Sequence, residues 1–87
     1  MSLFKDAIEV VSTTVTVPDG SGTSSSFVRS VSAPTGKKVL GGGARDTARQ
    51  VNVRYSYPES DGSAWIVDLL NQSGSSQSVD VYAVCVG

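Results

Sequence analysis

The chain has 87 residues, no histidine, one cysteine (Cys85), and seven Lys/Arg against eight Asp/Glu for a formal net charge of −1. That length holds one small core rather than two domains. The missing imidazole removes every triad with a histidine base and the usual Cys/His zinc sites, the balanced charge offers no footprint for nucleic acid, and no apolar run reaches the ~18 residues of a helical membrane span.

Valine, serine and threonine dominate, which favours strands and turns over helices. Residues 1–5 lack the positive start, apolar middle and cleavage site of a signal peptide, and residues 1–7 are expected to be a stub or linker ahead of a single domain over 8–87. The run IEVVSTTVTV from Ile8 to Val17 is β-branched almost throughout. Ile8 and Val10 fall on one parity and Val11, Val15 and Val17 on the other, so a bulge or break near Ser12 is expected. Pro18-Asp19-Gly20 predicts a turn, with proline fixing φ and glycine accepting a positive one, and residues 21–26 a polar loop. A short strand of undetermined facing follows over 27–31. Ala33-Pro34-Thr35-Gly36 predicts a second turn, and residues 37–40 another short strand.

Gly41, Gly42 and Gly43 let a backbone or a ring approach closely. Lys37 and Lys38 precede them instead of following, against the phosphate-loop order, so a packed strand or bulge with an aromatic ring over it is the preferred reading. Residues 44–50 read as a helical turn or a long loop. In residues 51–57 Val51, Val53, Tyr55 and Tyr57 face one way and Asn52, Arg54 and Ser56 the other, the cleanest alternation in the chain. After a turn over 58–63, residues 64–70 place Trp65, Val67 and Leu69 on one face, and residues 71–78 form a hairpin loop. The last strand, 79–86, turns Val79, Val81, Ala83 and Cys85 inward. Its opposite parity becomes apolar toward the end, so both faces there are expected to be covered. The sum is roughly six strands, or seven if the first breaks: an all-β antiparallel β-sandwich, with jelly-roll-like connectivity as one form of it.

The order APTGKKVLGGGA over 33–44, SYP over 56–58, Ala64-Trp65 with Val67, and NQSGSSQSVDVYAVC over 71–85 resembles a small domain at the C-terminal end of bacterial and phage collagen-like and tail-associated proteins. The likeness covers residues 30–87. It implies an extracellular or virion-surface β module that ends a fibrous protein. Ala33 stands where that family has its first cysteine, so Cys85 lacks the partner the resemblance implies. A bridge closing a loop of ~50 residues would contribute about 4 kcal/mol in the chain-entropy description. A core this small is marginal alone, so a homo-oligomeric interface, with a trimer favoured, or a denser core is expected to stand in for the bridge.

Candidate sites follow from side-chain chemistry. Tyr55, Tyr57 and Trp65 have the planar faces that stack on sugar rings, although their alternation with valine favours the core. Arg45, Asp46 and Arg49, with Arg54, gather functional groups on a loop, where binding chemistry tends to sit; solvated loop charges are the plainer reading. Tyr82, Val84 and Val86 lie on the outward parity of the last strand and are the interface candidates. The carboxylates fall mostly in turns with no apolar pocket around them, which argues against an enzyme. Asp19, Glu59 and Asp61 lack the acidic spacing of a calcium loop, so neither metal nor cofactor is expected. Asn71-Gln72-Ser73 matches a glycosylation sequon but reads as a hairpin tip, and Cys85 as a small buried hydrophobe. The expected function is a non-catalytic structural or assembly module, with neither nucleic acid nor membrane insertion. The alternative is a glycan-binding adhesin.

Overall fold

A computed structural model of the chain describes residues 8–20, 26–45 and 51–87. The strands are β1 (Ile8–Val17), β2 (Phe27–Ser32), β3 (Lys38–Arg45), β4 (Val51–Pro58), β5 (Ala64–Asn71) and β6 (Gln77–Val86). They form two three-stranded antiparallel sheets: sheet A in the order β1-β6-β3 and sheet B in the order β2-β5-β4. The protein is a β-sandwich.

The turns follow their residue chemistry. Gly36 takes φ 85° and lets Lys37 N–H donate to Pro34 C=O at 3.0 Å, the left-handed position that glycine fills without a Cβ clash. Gly62 and Gly74 also have positive φ. Gly20 does not, contrary to the sequence expectation; it is buried, and its N–H donates to the Asn71 carbonyl at 2.6 Å.

Period-two alternation sets the core. In sheet A, Val79, Val81, Ala83 and Cys85 point inward beside Val11, Val15 and Val17 of β1 and Val39 and Ala44 of β3. In sheet B, Trp65, Val67 and Leu69 point inward with Phe27 and Val31. The interior is mostly valine, whose branched side chain suits a pleated surface. Cys85 is buried and free, as its inward parity suggested.

The expected break in the first strand is absent. The register runs without interruption from Ile8 opposite Val86 to Val17 opposite Gln77. Ile8 and Val10 are apolar because they lie on an apolar outer face, not because the parity changes. The bulges lie elsewhere, between Val39 and Gly41 and between Val53 and Tyr55. The first falls in the glycine run, which continues β3 as a strand through to Arg45, so Ala44 is not the start of a helical turn; residues 46–50 lie outside the described residues. The second bulge reverses the expected facing of β4. One extra residue flips every side chain after it, so Tyr55 and Tyr57 point outward beside Asp68 and Ile66, and Ser56 points inward beside Val67. The core reading of the two tyrosines is therefore corrected.

Candidate interaction surfaces

Sheet A presents its even-numbered β1 residues outward: Ile8, Val10, Ser12 and Thr14 stand beside Val86, Val84, Tyr82 and Asp80. On the far side of β6 are Lys38, Gly41, Gly43 and Arg45. The bulge throws Leu40 out next to them. Ile8 is 46% exposed, Val10 65%, Leu40 65% and Tyr82 38%, while Val84 and Val86 are half-buried. Tyr82 leans over β3, because a Cβ at Gly43 would lie 2.9 Å from its hydroxyl oxygen. The result is an apolar strip with a polar end.

At that end the Thr14 hydroxyl donates to Asp80 Oδ1 at 2.7 Å, and Arg45 Nη2 donates to Asp80 Oδ2 at 3.2 Å. The Thr14 hydroxyl, and after it the Arg45 guanidinium, holds the Asp80 carboxyl below the usual carboxylate range. A shallow depression of about 480 Å³ lies there, lined by Val10, Ser12, Ala44, Arg45, Asp80 and Tyr82.

The outer face of sheet B is built differently. Val28 and Ser30 of β2 flank Asp68 and Ile66 of β5, and Tyr55 and Tyr57 of β4 close the row. Tyr55 is 60% and Tyr57 45% exposed. Asp68 lies between Val28 and Tyr55, and its buried Oδ1 has no hydrogen-bond partner.

The residues grouped by sequence as one binding set are thus dispersed. Trp65 occupies the opposite face of sheet B from the tyrosines. It is half-buried, its indole N–H donates to Ser56 Oγ at 2.8 Å, and a Cβ at Gly42 would lie 2.6 Å from its Cγ. The ring over the glycine run is therefore Trp65 at Gly42 and Tyr82 at Gly43. Arg45 belongs to sheet A and Arg54 to the bulge of β4 in sheet B. Asp46 and Arg49 lie outside the described residues. Tyr82, Val84 and Val86 do share one face, and Ile8, Val10 and Leu40, which sequence reasoning did not single out, join them there.

Two further groups tie sheet B to sheet A at the end of β1. Asn71 is the last residue of β5 rather than an exposed hairpin tip, and it is fully buried. Its Nδ2 donates to the carbonyls of Val17 at 2.9 Å and Ser75 at 2.8 Å, and its Oδ1 accepts from Ser73 N–H at 3.1 Å. The sequon amide is thus consumed internally. Arg29 donates from Nε and Nη2 to Thr16 C=O at 3.3 and 3.0 Å, and from Nη1 to Val28 C=O at 2.9 Å, with its guanidinium 5.8 Å from the centre of the Phe27 ring.

Among the described residues no three His, Cys, Asp or Glu side chains gather as metal ligands, and no helix is long and apolar enough to cross a membrane. No family model, curated protein or solved structure matches the chain.

Proposed function

We propose that this chain is a non-catalytic structural module that joins copies of itself, of the kind that ends a fibrous surface or tail protein outside the cell or on a virion. The observation that carries the self-joining part is the outer face of sheet A, where Ile8, Val10, Leu40 and Tyr82 stand exposed around Val84 and Val86. A contiguous apolar patch rimmed by polar groups marks an interaction site. Burying it in a partner would supply the apolar area that so short a chain cannot bury within itself. The fibrous setting rests on the sequence resemblance.

The non-catalytic reading is supported at two carboxyls, neither of which is set to donate a proton. Asp61, through its hydrogen bonds from Ser63, and Asp80, through Thr14, are both held more acidic than usual, the reverse of what a proton-donating carboxyl needs. The test is sedimentation or light scattering across a hundredfold range of concentration. A concentration-dependent rise from monomer to a discrete oligomer, abolished by Ile8→Lys combined with Val10→Lys, is the expected result. A monomer at every concentration refutes the reading.

A second reading, saccharide binding, is favoured by Tyr55 and Tyr57 lying side by side in solvent across from the Asp68 carboxylate. Phenol faces stack on sugar rings and a carboxylate accepts from sugar hydroxyls. Glycan-array binding that disappears in Tyr55→Ala and Tyr57→Ala would establish it. An array without hits, repeated on the assembled oligomer, removes it.

A further inference from the structure

The edges of a sheet present backbone N–H and C=O groups that another strand can pair with, and proteins that must not pair there spoil the edge. Three of the strands at sheet edges carry such a device. β3 is bulged between Val39 and Gly41 and begins at Lys38. β4 is bulged between Val53 and Tyr55, contains Arg54 and ends at Pro58. β2 is six residues long, and its Arg29 occupies the carbonyls of Val28 and Thr16. β1 differs. It has ten residues, an unbroken register, no proline, no lysine or arginine, and Glu9 as its one charge.

Arg29 also reveals which way the backbone of β1 points. It reaches Thr16 C=O from a strand of the opposite sheet, and Val39 N–H donates away from β6 to Gly62 C=O at 2.9 Å, so Cys85 turns its backbone groups to Glu9 and not to Val39, and Thr16, of opposite parity to Glu9, faces away from β6. The N–H and C=O of one strand residue point to the same side, and the side alternates along the strand. Thr14, Ser12, Val10 and Ile8 therefore present both groups to the free edge, while Thr13, Val11 and Glu9 bond to β6. Among the described residues no further bond reaches the edge groups of Ile8, Val10, Ser12 and Thr14.

We propose that a second copy of this chain adds at the free edge of β1, antiparallel, about a two-fold axis at Val11. In that register Val10 faces Ser12 of the second copy and Ile8 faces its Thr14. Each of the four residues then donates one N–H and accepts on one C=O, so every open group from Ile8 to Thr14 is used. The Arg29 cap at Thr16 limits the run at one end. Glu9 stands opposite Thr13, so the two glutamates do not meet, and like charges directly opposed would be unfavourable. Sheet A of each copy becomes half of one continuous sheet, and the apolar strip runs across the join through Ile8 and Val10. This contact closes at a dimer, whereas the trimer favoured from the small core and missing bridge needs a different one. The proposal rests on the self-joining reading above and adds a backbone contact to it: the join lies beside Ile8 and Val10, while Leu40 and Val84, on β3 and β6, stay outside it.

The test measures mass and backbone hydrogen exchange on the same samples of the full chain. The expected result is a dimer in which the amides of Val10, Ser12 and Thr14 slow at least tenfold as concentration rises, while Val11 and Thr13 are protected throughout. Ser12→Pro removes only an edge-facing N–H and is expected to give a folded monomer; Val10→Lys, which puts a charge on the edge without touching the backbone, gives the same if the proline variant does not fold. A dimer or trimer in which those three amides stay fast overturns the edge contact and leaves the self-joining reading standing. A monomer throughout overturns both.

Discussion

Three glycines in succession have three different surroundings, so alanine at each is expected to have a different effect. At Gly41 a Cβ would meet nothing within 4 Å. Alanine there restricts the unfolded chain without a clash and should stabilise by about 0.4–1 kcal/mol. At Gly43 it would lie 2.9 Å from the Tyr82 hydroxyl oxygen. That is the far end of a partly exposed side chain that can swing aside, so strain and chain restriction should cancel to within about 1 kcal/mol. At Gly42 it would lie 2.6 and 2.7 Å from Trp65 Cγ and Cδ1 and would also meet the Tyr82 carbonyl. Trp65 is pinned by Ser56 and the carbonyl belongs to the neighbouring strand, so neither yields easily, and overpacking should destabilise by about 1–3 kcal/mol. With a urea dependence of about 1 kcal/mol/M for a small domain, the unfolding midpoint should rise by about 0.4–1 M for Gly41→Ala and fall by about 1–3 M for Gly42→Ala. Equal shifts at the three positions, or a Gly42→Ala midpoint within about 0.5 M of the parent, would refute the packing argument.

Asn71→Ala removes two donors and one acceptor and leaves the carbonyl of buried Val17 without its side-chain partner; a loss of about 2–4 kcal/mol in chemical denaturation is expected. Acid should destabilise the fold. Asp61 and Asp80 have carboxyls lowered in the folded chain by Ser63 and Thr14 respectively, so their contribution is full above the unfolded carboxylate value of about 4 and is lost as pH falls through the folded values. Melting temperature should accordingly hold from neutrality to about pH 5 and fall below that, with a shallower fall in Asp61→Asn/Asp80→Asn. Cys85 is fully buried, and its thiol should not react with an aqueous disulfide reagent until denaturant is added; prompt reaction in the native state would contradict its placement.

Six strands and their turns were legible in the sequence because alternation, Pro and Gly carry a local physical meaning. The packing of a ring over the glycine run was legible for the same reason, since only a missing side chain makes room for one. The facing of Tyr55 and Tyr57 was not. Unbroken alternation from Val51 to Tyr57 conceals the extra residue, and Arg54 at the bulge is a type found equally in regular strand. The first strand misled in the opposite way. Its apolar residues on both parities suggested a break, when one set packs inward and the other lies on an apolar outer face. The pairing of Val10 with Val84 and of Thr14 with Asp80 joins residues from opposite ends of the chain. No local pattern holds that register, so the strip on sheet A became visible only with the fold.

Trp65 is the sole tryptophan, tied to its own layer through Ser56 and resting on the bare backbone of the other at Gly42. Widening of the gap between layers would lift that half-buried indole off Gly42. The chain thus contains an intrinsic optical gauge. Emission from the unlabelled protein reports whether docking of another copy squeezes, loosens or ignores the spacing inside each subunit.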